Sequence, residues 1–308
     1  MQITALAGGT GAAKLLRGLA ACVNSRDLTV IVNTGDDAEI WGLHVSPDLD
    51  TLTYALTGRL DLGRGWGLAD DTFHALAAMG ALGGETWFKL GDRDLATHVY
   101  RTRALRAGAS LTDATRAIGQ ALGLRARLLP MSDDPVRTRI RTADGWMSFQ
   151  TFFVRERGRV PVLGIDYTGA DRARAGPAVL DAIRAANVVV LCPSNPITSI
   201  GPILSVPGIR DALAETTAIT IAVSPIVGGA AVSGPAGDLM RACGLPVSPV
   251  GVARAYTPWL DLLVMDRRDV KQNHAVLELG AEPVVADIIM QNREGEIALA
   301  RAMLAAVA

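Results

Sequence analysis

The chain predicts an α/β protein: a Rossmann-like parallel sheet with helices on both faces and an inserted α+β subdomain. Three observations carry this. The first 33 residues read strand, glycine turn, helix, strand. Buried apolar runs then recur at 188–192, 219–223 and 261–266, separated by amphipathic stretches. Between them lies a long segment of different pattern, first helical and then alternating. Parallel strands buried on both faces read as continuous apolar runs, and helices must supply the crossovers.

Taken in order, "QITALA" (2–7) is a short strand and "AAKLLRGLAACV" has helical spacing after the glycines 8–11. "LTVIVN" (28–33) is a β-branched strand, completing a parallel βαβ unit. From about 55 to 130 the segments "TFHALAAMGALG", "LATHVYRTRALRAG" and "LTDATRAIGQALG" are amphipathic helices, the last opened by a capping Ser110. From about 136 to 168 the pattern alternates as antiparallel strands, with Asp144-Gly145 as a hairpin turn. Helices and strands then alternate again to a terminal helix, "GEIALARAMLAAVA". The expected division is a nucleotide-binding domain of residues 1–54 and 171–308 around an inserted, mostly helical subdomain, 55–170.

Composition narrows the function. Half of the 308 residues are hydrophobic and the net charge is −1, so no global basic field exists to hold nucleic acid or an anionic membrane. Of the basic residues only Lys14, Lys89 and Lys271 are lysine. Cys22, Cys192 and Cys243 are too few and too far apart for a disulfide framework or a thiolate metal site. The N-terminus lacks a cationic start and breaks at glycines, as a strand does and a signal peptide does not. The unpaired cysteines fit a reducing cytoplasm, where the protein is expected, and no apolar run is long enough to span a bilayer.

Ligands of open parallel sheets bind outside the carboxyl ends of the strands. Three loops at such ends have unusual composition: "AGGTGAAK", "CPSNPITSIGP" and "SPIVGGAAVSGPAG". Amides exposed at a helix start favour phosphate oxygens. "GGTGAAK" is neither a Walker A sequence nor a full GxGxxG, since Lys14 stands at the third glycine position. It indicates an anion near a helix start or an ordinary βα turn. The two prolines around Ser194-Asn195 stiffen the second loop, where Asn195 is either a ligand contact or a turn residue.

Asp36, Asp37, Asp48 and Asp50 follow the second strand within fifteen residues. A dinucleotide site needs only one acid there. Four unneutralised carboxylates repel one another, and hard oxygen ligands beside phosphate loops suit Mg²⁺. The structural alternative is a solvated loop with helix-capping aspartates. "KLGDRDLATH" (89–98) contains Asp92, Arg93 and Asp94 before a helix, readable as a cap and ion pair, and His98 within it. Asp133-Asp134-Pro135 reads as a turn, and Trp146, Phe149, Phe152 and Phe153 as core.

"GGTGAAKLL", "VNTGDD", "SPDLDT", "GWG", "LGDRDLATH", "LLPMSDDPV", "PSNPITSIGPI", "VSPI" and "SGPAG", in this order, resemble the 2-phospho-L-lactate transferase family across almost the whole chain. The resemblance implies an enzyme of coenzyme F-420 biosynthesis, usually a homodimer, that requires Mg²⁺. It implies transfer of a phospholactyl or phosphoenolpyruvyl group from a guanosine diphosphate conjugate to the terminal ribityl hydroxyl of the deazaflavin Fo. GMP leaves and a phosphodiester remains. Carried over by motif, Asp50 and Lys89 contact Fo, with Asp92, Arg93 and His98 beside them. Gly9, Thr10, Gly11, Lys14, Ser194, Asn195, Pro196, Ser224 and Gly234 hold the nucleotide. The metal falls to Asp37 and Asp50 first, with Asp36 and Asp48 next. Asp50 and Asp37 are the catalytic candidates, and Asp50→Asn is expected to cut turnover while leaving the fold intact. The rival readings are a non-catalytic nucleotide or nucleotide-sugar regulator on the same fold and an NAD-dependent dehydrogenase.

Overall fold

A computed structural model describes residues 1–308. In chain order the main elements begin with β1 (Ile3–Ala7), α1 (Gly9–Cys22) and β2 (Leu28–Val32). A hairpin of β3 (Ala38–Ile40) and β4 (Leu43–Val45) leads to α2 (Pro47–Leu56), α3 (His74–Ala81), α4 (Asp94–Arg106) and α5 (Leu111–Leu122). Next come β5 (Arg127–Pro130), β6 (Arg137–Thr142), β7 (Gly145–Ser148) and β8 (Gly164–Thr168). The chain continues through α6 (Val179–Arg184), β9 (Val188–Leu191), α7 (Gly201–Ser205), α8 (Ile209–Glu215) and β10 (Ile219–Val223). It closes with the small hairpin β11 (Ile226–Val227) and β12 (Ala230–Ala231), then α9 (Ala236–Ala242), α10 (Pro249–Tyr256), β13 (Leu262–Asp266), α11 (Asn273–Leu277), β14 (Glu282–Ala286) and α12 (Arg293–Ala306).

Seven strands form one parallel sheet in the order β14-β13-β10-β9-β1-β2-β5. Alternate residues of each strand feed two cores. Leu6, Ile31, Val189, Leu191 and Ala222 pack on one face against α6, α8, α9 and α10. Ala5, Ala7, Val30, Val32, Val188, Val190 and Ile221 pack on the other, against α1, α2 and α12. Burying one such large side chain contributes about 1.5–3 kcal/mol, so the sheet is the rigid frame on which the loops are mounted. The strand order reverses between β1 and β9, and the crevice at such a switch point is where doubly wound folds bind ligands.

The expected boundaries change in detail. Arg127–Pro130 lies inside the span expected to be inserted, yet it pairs in parallel with β2 as an edge strand of the main sheet. β14, at the opposite edge, was also absent from the sequence reading. Both are short edge strands without a long apolar run. Separate from the sheet, β7-β6-β8 form a three-stranded antiparallel sheet, as the alternation at 136–168 predicts. Its hairpin turns at Ala143-Asp144, with Gly145 (φ 111°) already opening β7. Thr151–Arg155 is a π-helical turn, not a strand. No helix is long and apolar enough to cross a membrane.

Candidate active site

The loops after β1, β2, β9 and β10 line one cleft of about 730 Å³. Its floor is Gly8–Gly11 at the start of α1. Gly11 lies so near the β9 loop that a Cβ there would sit 2.3 Å from the Pro193 carbonyl oxygen. Ser194 Oγ donates to the Gly8 carbonyl (2.8 Å) and accepts from the Gly8 amide (3.3 Å), tying the two loops at the switch point. Thr10, Lys14, Ser194, Asn195, Ser224 and Gly234 also line the cleft. Lys14 Nζ donates to the Met290 carbonyl (3.2 Å), which anchors the opposite wall, Ile288–Met290. Asn195 Oδ1 accepts from the Ile197 amide (2.9 Å), so its side chain caps the following turn. Pro196 is buried and does not reach the cleft.

All four aspartates are buried, and their roles differ. Asp48 Oδ1 accepts from the Gly9 amide (2.8 Å) and Oδ2 from Asn33 Nδ2 (2.9 Å). A carboxylate thus occupies the α1 amide that an anionic ligand would meet. Burial pushes the Asp48 carboxyl up to about 6, against the hydrogen bonds from Asn33 and Gly9. Asp36 is raised well above the usual carboxylate range by burial and by Asp48's charge, and its Oδ1 has no partner. Asp37 accepts from Ser46 Oγ and faces His44 Nε2, each at 2.9 Å, and lies outside the cleft lining. Asp50 forms a two-point ion pair with the buried Arg101.

This redistributes the metal candidates. No three His, Cys, Asp or Glu side chains converge as a ready-made metal site. Mg²⁺ needs only one or two carboxylates when phosphates and water complete its shell. The cleft-lining pair Asp36 and Asp48 fits it: two acids raised chiefly by burial, Asp36 further by the charge of Asp48 and Asp48 by that of Asp37, and Asp36 with an orphaned oxygen. Of the first choices from sequence, Asp50 is taken by Arg101, and Asp37 lies outside the cleft lining with Oδ2 held by Ser46 and His44 and Oδ1 unpartnered.

At the other end, Asp50, Lys89 and His98 line the cleft with Trp66, Trp87 and Phe88. His98 Nδ1 is 3.6 Å from Asp50 Oδ2 and its Nε2 is 3.3 Å from Asp94 Oδ2. Tyr54 donates to Asp94 Oδ1 (2.7 Å). Burial pushes Asp94 up, but the facing His98, Tyr54 and Arg101 bring it below its ordinary value. Burial, with Asp50 and Asp94 nearby, pushes the Tyr54 hydroxyl up and keeps it protonated. Asp92 does not belong to the cleft lining. It accepts from Thr72 Oγ1 (2.6 Å) and from the His74 and Ala75 amides (3.0 and 2.9 Å), capping α3. Arg93 is likewise outside, donating to the Ala69 carbonyl. Sequence reading named Asp94 only as part of a cap and ion pair, and gave no site role to Asn33, Arg101, Trp66 or Trp87. Arg101 falls on the face of α4 shared by Asp94 and His98, a spacing that flags it once the helix is drawn. Phe149 and Phe152 are core as expected, but Phe149 also lines the cleft, and Phe153 and Trp146 are exposed.

Fold and cleft together define a doubly wound α/β protein that gathers glycine amides, paired carboxylates and an aromatic wall at its topological switch point. The chain belongs to the 2-phospho-L-lactate transferase CofD family, which matches residues 3–304. It is 46% identical over 299 residues to the 2-phospho-L-lactate transferase of Methanosarcina mazei, covering 97% of this chain and 98% of that one. It is 44% identical over 314 residues to the phosphoenolpyruvate transferase of Kitasatospora aureofaciens, covering 99% and 97%. A crystal structure of a Bacillus halodurans protein shares the fold, with TM-score 0.68, 19% identity and coverage of 98% and 99%.

Proposed function

We propose that this cleft moves a phospholactyl or phosphoenolpyruvyl group from a guanosine diphosphate conjugate to the ribityl hydroxyl of Fo, releasing GMP, in coenzyme F-420 biosynthesis. The observation that carries this is the continuity of one cleft from the Gly8–Gly11 amides and the Asp36/Asp48 pair to Asp50, Lys89 and the aromatic wall. An amide-and-acid floor suits a diphosphate, and a flat aromatic wall with one lysine suits a planar, electron-rich acceptor.

The chemistry asked of the protein is positioning and charge stabilisation, because phosphoryl-type transfer leaves little covalent work for side chains. Mg²⁺ held by Asp36 and Asp48 would neutralise charge on the diphosphate and on departing GMP. The α1 amides orient the phosphate oxygens, with Asp48 giving up the Gly9 amide to them. Asp50 accepts a hydrogen bond from the ribityl hydroxyl and aims its oxygen at the phosphorus nearer the three-carbon acid. Lys89 fixes the acceptor ring against Trp87 and Phe88. Such alignment supplies roughly 7–11 kcal/mol in favourable cases.

Relatives of similar identity carry both donor names, so the test offers both donors. Mass spectrometry of reactions containing Fo, Mg²⁺ and each guanylylated donor is expected to show GMP and the phosphodiester of Fo with one of them. Tight nucleotide binding with no Fo product from either donor rejects the assignment.

A further inference from the structure

We infer that Arg101 is the positioning residue for Asp50, fixing the carboxylate that receives the acceptor hydroxyl. This rests on the function proposed above and deepens it. α4 places Asp94, His98 and Arg101 four and three residues apart, so all three project from one face. α2 places Asp50 and Tyr54 one turn apart, facing them. Arg101 is 1% exposed, one of the largest fully buried side chains in the molecule. Burying a guanidinium is costly unless it is paired and hydrogen-bonded. Here Nη1 meets Asp50 Oδ2 at 3.0 Å and Nη2 pairs with Oδ1. Nη1 also lies 3.4 Å from the His44 carbonyl.

A planar fork on a planar carboxylate sets its tilt as well as its place. Asp50 is thereby held against rotation with its remaining lone pairs available at the cleft wall it lines. Lysine, a point charge on a flexible stem, neutralises Asp50 without fixing that plane. The pair also sorts the acidic cluster. A divalent cation is repelled beside a guanidinium, so Asp50 serves the acceptor while Asp36 and Asp48 serve the cation. A merely structural role, zipping α2 to α4, predicts a different outcome from the same variants.

The test measures kcat, KM for Fo, KM for the donor and Tm in Arg101→Lys, Arg101→Gln, Asp50→Asn and the Asp50→Asn/Arg101→Gln double variant. Misplacing a reacting group by about 1 Å costs on the order of 10²-fold, and kcat of Arg101→Gln is expected to fall by that order. Arg101→Lys, which keeps the buried charge and the fold, is expected to lose about tenfold in kcat with donor KM unchanged. Adding Arg101→Gln to Asp50→Asn is expected to change kcat less than about threefold, because the group being positioned is already altered. The double variant leaves no buried charge of the pair alone, so it folds even where Arg101→Gln does not. Wild-type kcat in Arg101→Lys, or Arg101→Gln and Asp50→Asn losses that multiply in the double variant, overturns the inference. If the wild-type protein itself yields no Fo product, the proposed function falls instead.

Discussion

Gly11 shows how closely the site is built. A methyl group there meets the Pro193 carbonyl at 2.3 Å, and backbone cannot step aside as a side chain can. Gly11→Ala is therefore expected to destabilise the protein by about 1–3 kcal/mol and to weaken nucleotide binding, as read by thermal melting and calorimetry. Wild-type melting would show that the β1 and β9 loops are not packed as described. The acids are built with equal tension. In the unfolded chain Asp48 ionises near 3.8 and in the fold near 6, so the fold binds the proton more tightly. Stability contributed by this group is highest in acid and declines as pH rises from about 4 to 6, a difference on the order of 3 kcal/mol. Asp36 is displaced in the same direction. Asp36→Asn is accordingly expected to melt higher than wild type at pH 7.5, to lose that gain toward pH 4, and to turn over poorly. Mg²⁺ with a guanine nucleotide is expected to raise Tm more at pH 7.5 than at pH 5. An equal rise at both pH values would separate the acids from the cation. Asp50 behaves differently. Its replacement by Asn is expected to cut turnover on the order of 10²-fold. It also leaves a buried guanidinium without its charge partner, which costs about 3–5 kcal/mol, contrary to the undisturbed fold expected from sequence. Undiminished turnover in Asp50→Asn would refute its role.

At the scale of elements, α3 is held by its ends. None of its residues is buried. Asp92, from the loop before α4, caps α3, while Asp71, from the loop before α3, accepts from the Arg93 and Asp94 amides at the start of α4. The two caps cross, pinning the stretch that brings Trp66, Trp87 and Lys89 to the cleft. Asp92→Ala is expected to speed hydrogen exchange and proteolysis across 71–85 and to raise KM for Fo more than it lowers kcat. Unchanged exchange there would show that α3 has other support. A capping aspartate and a catalytic aspartate look alike in sequence, which is why Asp92 was grouped with the acceptor site. Their difference is the position of a helix end, known only after folding. The same limit hid Arg101, whose partner Asp50 is 51 residues away. Strands β1, β2, β9, β10 and β13 were legible because burial on both faces demands unbroken apolar runs. The edge strands were not: β5 begins at exposed Arg127, and β14 leaves Glu282 and Val285 exposed.

At the scale of the whole molecule, the reversal of strand order between β1 and β9 decides where a ligand can sit. The sheet supplies a stiff edge, and loops from both halves converge over it. The amide floor was legible in the glycines, and the acidic cluster in four aspartates. Their division of labour was not, because it depends on which carboxylate finds Arg101, His44 or nothing. The central claim is that Asp36 and Asp48 hold a divalent cation against a diphosphate at the start of α1. Anomalous diffraction from crystals grown with Mn²⁺ and GDP tests it most directly. The account predicts one strong peak beside the Asp36 and Asp48 carboxylates, with diphosphate density at the Gly9–Gly11 amides. A peak at Asp50, or a nucleotide bound away from both acids, would contradict it.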